Sequence, residues 1–236
     1  MTSLFDFILD RLQGFLYMLP AFVIALSVHE WAHAYTAYKA GDMTAYSMGR
    51  MTLNPLKHID PIGLLMVALV GFGWARAVPV NPRNFRNPKK DNIMVSLAGI
   101  IANISLALLS VLVVDAVFKI GGLSDLHLKA AWSYIFVFDN KIANILMYFM
   151  SSFVMINITL AVFNLLPIPP LDGSHLLEGF ILRNFGPSAL MTLNRYGMMI
   201  LIIVLLILSY TGIFSILIDG IFNAITSVFA AFYGLF

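Results

Sequence analysis

The sequence predicts an all-α polytopic membrane protein, a single integral membrane domain over residues 1–236 with four to six transmembrane helices and one re-entrant hairpin. Two observations predict this class. The chain is 60% hydrophobic and only 11% charged, with a mean hydropathy of +0.89, whereas a soluble domain carries about 25% charged residues. The apolar residues are also gathered into runs, so that lipid rather than a soluble core must cover them.

Four apolar runs reach the length of about 20 residues that a transmembrane helix needs. They cover residues 15–38, 93–114, 142–166 and 197–218. The tail, 220–236, carries no charge but is shorter. Its composition fits either a last short span or a helix that lies in the membrane interface.

The apolar run 62–75 differs from the four others because it holds only 14 residues, between Pro61 and Arg76. Its length favours a buried or re-entrant segment, and its three glycines suit a bent hairpin. If the run enters and leaves on one side, that side collects 10 of the 14 basic residues. Such an asymmetry identifies the cytosolic side of a membrane protein, and it is largely lost if the run crosses.

The first long run carries polar residues in its middle, in the motif HEWAH at 29–33. His29 and His33 leave the same face of a helix, about 6 Å apart along its axis, where they can share one zinc ion. Glu30 lies on the neighbouring face, within reach of a water on that metal. Ionisable groups inside a membrane are costly and generally functional. We therefore interpret the motif as a metal site rather than as polar residues at a helix contact.

A catalytic zinc ion takes three protein ligands and one water, so a third ligand must come from elsewhere in the chain. The topology leaves six candidates on the same side: Asp42, His58, Asp60, Asp172, His175 and Glu178. Asp172 stands out because three prolines before it end a helix and force extended backbone, and Gly173 allows a sharp turn after it. Irregular backbone at membrane depth is tolerated where it lines a site. His175 is the runner-up, and His58 fits a polar loop residue better than a ligand.

Four blocks of the sequence together resemble the site-2 protease family, the intramembrane zinc metalloproteases. They are HEWAH at 29–33, NPLKHIDPIG at 54–63, SLAGIIAN at 96–103 and FNLLPIPPLDG at 163–173. The first and last blocks are the most specific. The blocks are most similar to those of the compact branch of the family, which has only the membrane core and no PDZ or CBS domain.

The resemblance implies one zinc ion per chain, with His29, His33 and Asp172 as its ligands and Glu30 as the catalytic carboxylate. It also implies that Asn164 contacts the backbone of the substrate. The implied activity is hydrolysis of peptide bonds within or near transmembrane segments of membrane proteins. We expect a multi-pass protein of a prokaryotic cell membrane, with its active site towards the cytosolic side. The expected partners are a membrane-protein substrate and the lipid bilayer, with a homo-oligomer or an adaptor as further candidates, and no nucleic acid.

Two alternatives stay open at this point. One is a membrane metal- or haem-binding transport protein. Axial haem ligation normally pairs histidines from facing helices, however, and a transport site does not need Glu30 in the position of a base. The other is a catalytically inactive homologue that acts as a scaffold, against which the complete set of His29, Glu30, His33 and Asp172 argues.

Overall fold

The computed structural model describes residues 4–70, 73–120 and 141–234, and within them the chain is helical. The β-structure of these described residues is limited to one isolated antiparallel bridge between Ile59 and Ala75. This confirms the predicted all-α class. The helices are α1 (Leu4–Ala40), α2 (Thr44–Ser47), α3 (Pro61–Val70), α4 (Pro88–Ile120), α5 (Lys141–Leu165), α6 (Ser174–Thr211) and α7 (Ile213–Gly234), with 3-10 turns at Pro55–Lys57 and Pro82–Asn84.

Three helices of the described part are long and apolar enough to cross a membrane, which confirms the predicted class of polytopic membrane protein. These are α4 over Pro88–Val117, α5 over Ile142–Leu165, and α6 over Ser174–Thr211. The helix α6 is kinked at Gly186, whose backbone is not helical (φ 79°, ψ 176°). The predicted runs 93–114 and 142–166 fall on the first two. The run 15–38 lies within α1, which is not one of these three candidate spans. The exact number of spans therefore stays a prediction.

The fourth predicted run, 197–218, is not one helix. The helix α6 ends at Thr211, and Gly212 follows with a left-handed φ of 67°. A left-handed residue is a common way to end a helix, and glycine adopts that conformation without steric cost. A new helix, α7, then begins at Ile213 and includes most of the predicted tail. Hydropathy could not reveal this break, because the residues on both sides of it are apolar.

The centre of the molecule lies where α1, α4 and α5 pack against one another. On α1, the small side chains of Ala21 and Ala25 are fully buried against Phe153 of α5. A second cluster joins α4, α5 and α7 through Val111, Val154 and other buried residues. Small residues let membrane helices approach closely. The helix that carries the HEWAH motif is therefore held between two others.

The segment after α1 leaves the centre and returns to the same place. Ile59 pairs with Ala75, and the N–H of Arg76 donates to the carbonyl of His58 at 2.8 Å. Between these points the helix α3 has 10 residues, or about 15 Å, roughly half of the hydrocarbon thickness of a bilayer. The joined ends and the short helix agree with a hairpin over 62–75, and the insertion of this hairpin into a membrane stays a prediction.

Two glycines allow the limbs of this hairpin to touch backbone to backbone. A Cβ atom at Gly63 would lie 2.0 Å from the carbonyl oxygen of Trp74, and one at Gly73 would lie 2.0 Å from the carbonyl oxygen of Gly63. Neither oxygen can move away as the end of a flexible side chain would. The sequence analysis attributed these glycines to bending, whereas their observed effect is this close approach.

We expect Gly63→Ala to destabilise the folded protein, because the added methyl group must push the two limbs apart. Overpacking of this kind costs about 1–3 kcal/mol, which thermal unfolding in detergent micelles would detect. The matched control is Gly179→Ala on α6, where a Cβ meets open space. That control should be neutral or stabilising, since alanine is favoured over glycine within a helix by about 1 kcal/mol. Equal unfolding temperatures for the two variants would contradict the backbone contact.

Candidate metal centre

The HEWAH motif lies in the buried middle of the molecule, on α1. His29, Glu30 and His33 are all at least nine-tenths buried. The helix brings the Nε2 atoms of the two histidines to 3.0 Å from each other. The two imidazole rings therefore share one face, as their spacing in the sequence predicts.

Asp172 joins the two histidines from the other end of the chain. Its Oδ2 lies 3.2 Å from Nε2 of His29 and 3.1 Å from Nε2 of His33. This oxygen is buried, and within the described residues it accepts no conventional hydrogen bond. Two imidazole lone pairs and a carboxylate oxygen at such distances repel one another unless a cation or a proton lies among them. The three side chains therefore fit a metal ion, and their ligand atoms all lie within 4.8 Å of one another.

The Nδ1 atoms of the two histidines point away from Asp172 and meet hydrogen-bond acceptors on α4. Nδ1 of His33 lies 2.7 Å from the carbonyl oxygen of Val95. Nδ1 of His29 lies 2.5 Å from Oδ1 of Asn103. A carbonyl oxygen can only accept, so Nδ1 of His33 carries a proton, and in the neutral ring Nε2 then has the lone pair that a metal needs. Metal-binding histidines usually donate their second N–H in this way.

The helix α4 reaches the two imidazoles because it has a glycine at the point of contact. A Cβ atom on Gly99 would lie 2.5 Å from Cε1 of His29 and 2.5 Å from Nε2 of His33. Any larger residue would displace one of the rings. The sequence analysis found the block SLAGIIAN without assigning a role to Gly99 or Asn103. The spacing of four residues between them, which places both on one helix face, was the available signal.

Glu30 is held by the limb of the hairpin that returns towards α4. Its Oε2 accepts a hydrogen bond of 2.8 Å from the N–H of Val78. The two carbonyls before Val78 are fixed in turn, because Nη2 of the buried Arg50 donates to Arg76 at 2.6 Å and to Ala77 at 3.1 Å. The orientation of this carboxylate therefore depends on the hairpin as well as on its own helix.

Asp172 is presented by the irregular turn between α5 and α6. The N–H of Gly173 donates to the carbonyl of Asn164 at 2.7 Å, which ties the two ends of this turn together. A Cβ atom at Gly173 would lie only 2.3 Å from the carbonyl oxygen of Leu165. The backbone of Gly173 itself is helical, with a φ of −58°. The glycine therefore serves close packing of the turn, and not the unusual conformation that its place after the prolines suggested.

Two other residues from the sequence analysis lie near this turn. Asn164 donates from Nδ2 to the carbonyl of Leu160 at 3.0 Å, within its own helix, and its contact with a substrate stays a prediction. His175, the runner-up ligand, directs Nδ1 to Oε1 of Glu178 at 2.7 Å. His175 is not part of the group that converges on the candidate metal position.

The remaining candidates hold loops together on the side where α1 ends. His58 is fully buried and lies 2.7 Å from the carbonyl oxygen of Thr52. Asp60 accepts from the N–H of Gly63 at 2.8 Å. Burial would raise the pKa of Asp42, but hydrogen bonds, above all from the N–H of Asn81, hold that pKa below its usual value. None of these three is in the converging group of described residues.

Comparisons with known proteins identify the family of the chain. Residues 17–208 match the family model described as Peptidase family M50. "Putative zinc metalloprotease YwhC" of Bacillus subtilis is 37% identical over 188 residues, which cover 79% of this chain and 78% of that protein. "Putative zinc metalloprotease Rip2" of Mycolicibacterium smegmatis is 32% identical over 197 residues, which cover 81% of this chain and 67% of that protein. No solved structure matches the chain. Because the family model covers most of the sequence, the chain belongs to peptidase family M50.

Proposed function

We propose that this protein is a zinc metalloendopeptidase of the site-2 type, which hydrolyses peptide bonds within or near the transmembrane segments of membrane proteins. The observation that carries the proposal is the convergence of His29, His33 and Asp172 beside the buried Glu30. Membership of the peptidase family and the names of the two relatives support the same chemistry. The long apolar helices support a substrate that also lies in the membrane.

His29 and His33 would hold the zinc ion through Nε2, and Asp172 would hold it through Oδ2. Three protein ligands leave a fourth position open, which is the arrangement of catalytic zinc sites. Zinc bound there would lower the pKa of a coordinated water to about 7 and polarise the scissile carbonyl group. Oδ2 of Asp172, which is buried against the two imidazoles and accepts no conventional hydrogen bond from the described residues, is the feature that such an ion would satisfy.

Glu30 would act as the general base and then as the general acid. As a carboxylate it takes a proton from the attacking water, whose oxygen forms the new bond to the carbonyl carbon. When the C–N bond breaks, the carboxylic acid returns that proton to the leaving amine. The hydrogen bond from Val78 holds one oxygen of Glu30 and restricts the rotation of the side chain.

A substrate must expose its scissile bond before this chemistry can begin. In a helix, each carbonyl group accepts a hydrogen bond from the N–H four residues later and is not free to react. The substrate therefore has to unwind locally. The return limb around Val78 lies beside Glu30, and Asn164 lies at the start of the turn that carries Asp172. We assign to the limb and to Asn164 the role of holding the unwound strand.

The active site would face the cytosolic side of a prokaryotic cell membrane. The excess of basic residues on one side of the predicted topology supports this orientation. That count assumes that 62–75 enters and leaves on the same side, and the pairing of Ile59 with Ala75 agrees with this assumption. Both reported relatives are bacterial. The partners would be a membrane-protein substrate and lipid, with a second copy of the chain or an adaptor as further candidates.

The first prediction concerns metal content. We expect the purified protein to hold about one zinc ion per chain, and His33→Ala and Asp172→Ala each to lose most of it, because two ligands bind zinc far more weakly than three. Elemental analysis after gel filtration in detergent measures this. His175→Ala is the control, since it removes a nearby imidazole that lies outside the converging group. Full zinc content in Asp172→Ala would remove that residue from the site.

The second prediction concerns catalysis. Glu30→Gln keeps the size of the side chain and removes the base, so zinc content should stay the same while cleavage of a single-span substrate falls by roughly 10²-fold or more. N-terminal sequencing of the products, compared between the wild type and the variant, identifies the cleaved bond. Near-normal cleavage by the variant would exclude this mechanism. Zinc-dependent transport that survives the substitution would favour the transport alternative, and an inactive wild type would favour the scaffold.

The third prediction concerns topology. The chain has no cysteine, so one introduced thiol reports one position to an impermeant maleimide. We expect Ser47→Cys, Asn87→Cys and Ser188→Cys to react only from the cytosolic side, because the predicted topology places all three there and their side chains are exposed. Ser124→Cys, at a position outside the described residues, should react only from the opposite side. Labelling of Asn87→Cys from the same side as Ser124→Cys would show that 62–75 crosses the membrane.

A further inference from the structure

We propose that Asn103 and Asn157 are positioning residues that fix His29 in the tautomer and orientation needed to bind the metal. The inference rests on the proposed function, because it concerns the same metal ion. It begins from a chain of buried hydrogen bonds that runs from α5 through α4 to α1. Both asparagines are fully buried, so each of their polar atoms needs a partner within the protein.

The direction of donation along these hydrogen bonds, from donor to acceptor, is determined at Asn157, the residue furthest from His29. Nδ2 of Asn157 lies 2.8 Å from the carbonyl oxygen of Phe153, one turn earlier on α5. A carbonyl oxygen cannot donate, so the amide group of Asn157 must present its NH₂ there. Its oxygen, Oδ1, is thereby turned towards α4. It accepts a hydrogen bond of 2.7 Å from Nδ2 of Asn103.

The orientation of Asn157 determines in turn which atom of Asn103 faces His29. With its NH₂ turned towards Asn157 and the carbonyl of Ala25, Asn103 has only Oδ1 left to face His29. That oxygen lies 2.5 Å from Nδ1 of His29, so Nδ1 must carry the proton. In the neutral ring Nε2 is then the atom with the lone pair. Nε2 is also the atom that lies 3.2 Å from Asp172.

The two histidines therefore depend on different acceptors. His33 donates to the backbone carbonyl of Val95. A backbone carbonyl is always an acceptor, because it cannot exchange places with an N–H group. His29 depends on a side chain whose oxygen and nitrogen exchange places when the amide turns by 180°. A turned amide would place an NH₂ against Nδ1 and favour the tautomer with its proton on Nε2. The hydrogen bond to Asn157 prevents that turn.

A purely structural role for the two asparagines predicts a different result. Asparagines that bond across helices also hold membrane helices together, and Asn103 does join α1, α4 and α5. Their removal would then lower the stability of the protein with and without metal. A positioning role predicts a specific loss of metal affinity in a protein that still folds. The zinc dissociation constant and the thermal stability of the metal-free protein must therefore be measured together.

The test compares variants in which Asn103 keeps or loses its acceptor. Asn103→Leu has a similar volume and no acceptor, and we expect its zinc dissociation constant to rise by about 10- to 100-fold. Asn103→Asp keeps an oxygen towards His29, and in the protonated form its other oxygen can donate to Oδ1 of Asn157 in place of the NH₂ group. Its dissociation constant should stay within about threefold of the wild-type value. Asn184→Leu is the control, because Asn184 makes a similar bond to its own helix on the exposed part of α6.

Two further measurements cover the case in which Asn103→Leu does not fold. Asn157→Leu leaves Asn103 in place but frees its amide group, so zinc affinity should fall by a smaller factor, about three- to tenfold. In the zinc-loaded wild type, ¹⁵N-histidine NMR should show two imidazoles with a metal on Nε2 and a hydrogen-bonded proton on Nδ1, from His29 and His33. This measurement needs no substitution at all.

The outcomes separate this inference from the proposed function. A wild type that binds no zinc would overturn both. A wild type that binds zinc, with an unchanged dissociation constant in a folded Asn103→Leu or Asn157→Leu variant, would overturn only the role of the asparagines. Fewer than two hydrogen-bonded Nδ1 protons in the NMR spectrum would do the same. Loss of affinity in Asn103→Leu, with recovery in Asn103→Asp, would support the positioning role.

Discussion

The constraint on which the rest of this structure depends is the burial of three polar side chains on one helix of an apolar protein. An unpaired polar group in such surroundings costs several kcal/mol, so each atom of the HEWAH motif that cannot reach water needs a partner from another part of the chain. The helix α4 supplies acceptors for both Nδ1 atoms, the return limb of the hairpin supplies a donor for Glu30, and the turn after α5 supplies Asp172. The fold brings all three to α1.

The sequence revealed those parts of the site that depend on local spacing. The common face of His29 and His33 follows from helical geometry, and the prolines around Asp172 indicate an irregular turn. The partners of the site lie far along the chain, by 74 residues for Asn103, 62 for Val95 and 48 for Val78. No local pattern determines pairings over such separations. Similarly, the break at Gly212 was missed because hydropathy does not register a change of backbone conformation between two apolar helices.

Glycines show a related limit of the sequence analysis. Near Asp172 and in the hairpin, glycine suggested bending or a sharp turn, because that is what its conformational freedom usually provides. In the folded protein, Gly63, Gly99 and Gly173 instead allow another group to come where a side chain would be. Gly99 has the most direct effect, since both imidazoles lie against its Cα. Whether a glycine allows such a close approach depends on the helix or loop that packs against it. This can be seen only in the folded structure.

The contacts that support Glu30, the proposed base, are largely separate from those that support the two histidines, the proposed metal ligands. The two histidines are oriented from α4, whereas Glu30 is oriented from the return limb, which Arg50 steadies through the carbonyls of Arg76 and Ala77. A displacement of the hairpin would therefore turn the base away while leaving the Nδ1 hydrogen bonds of both histidines unchanged. Under the proposed mechanism, in which the same limb holds an unwound substrate strand, binding of that strand would affect the orientation of Glu30 through its hydrogen bond with Val78. His29 and His33, held from α4, would stay in place.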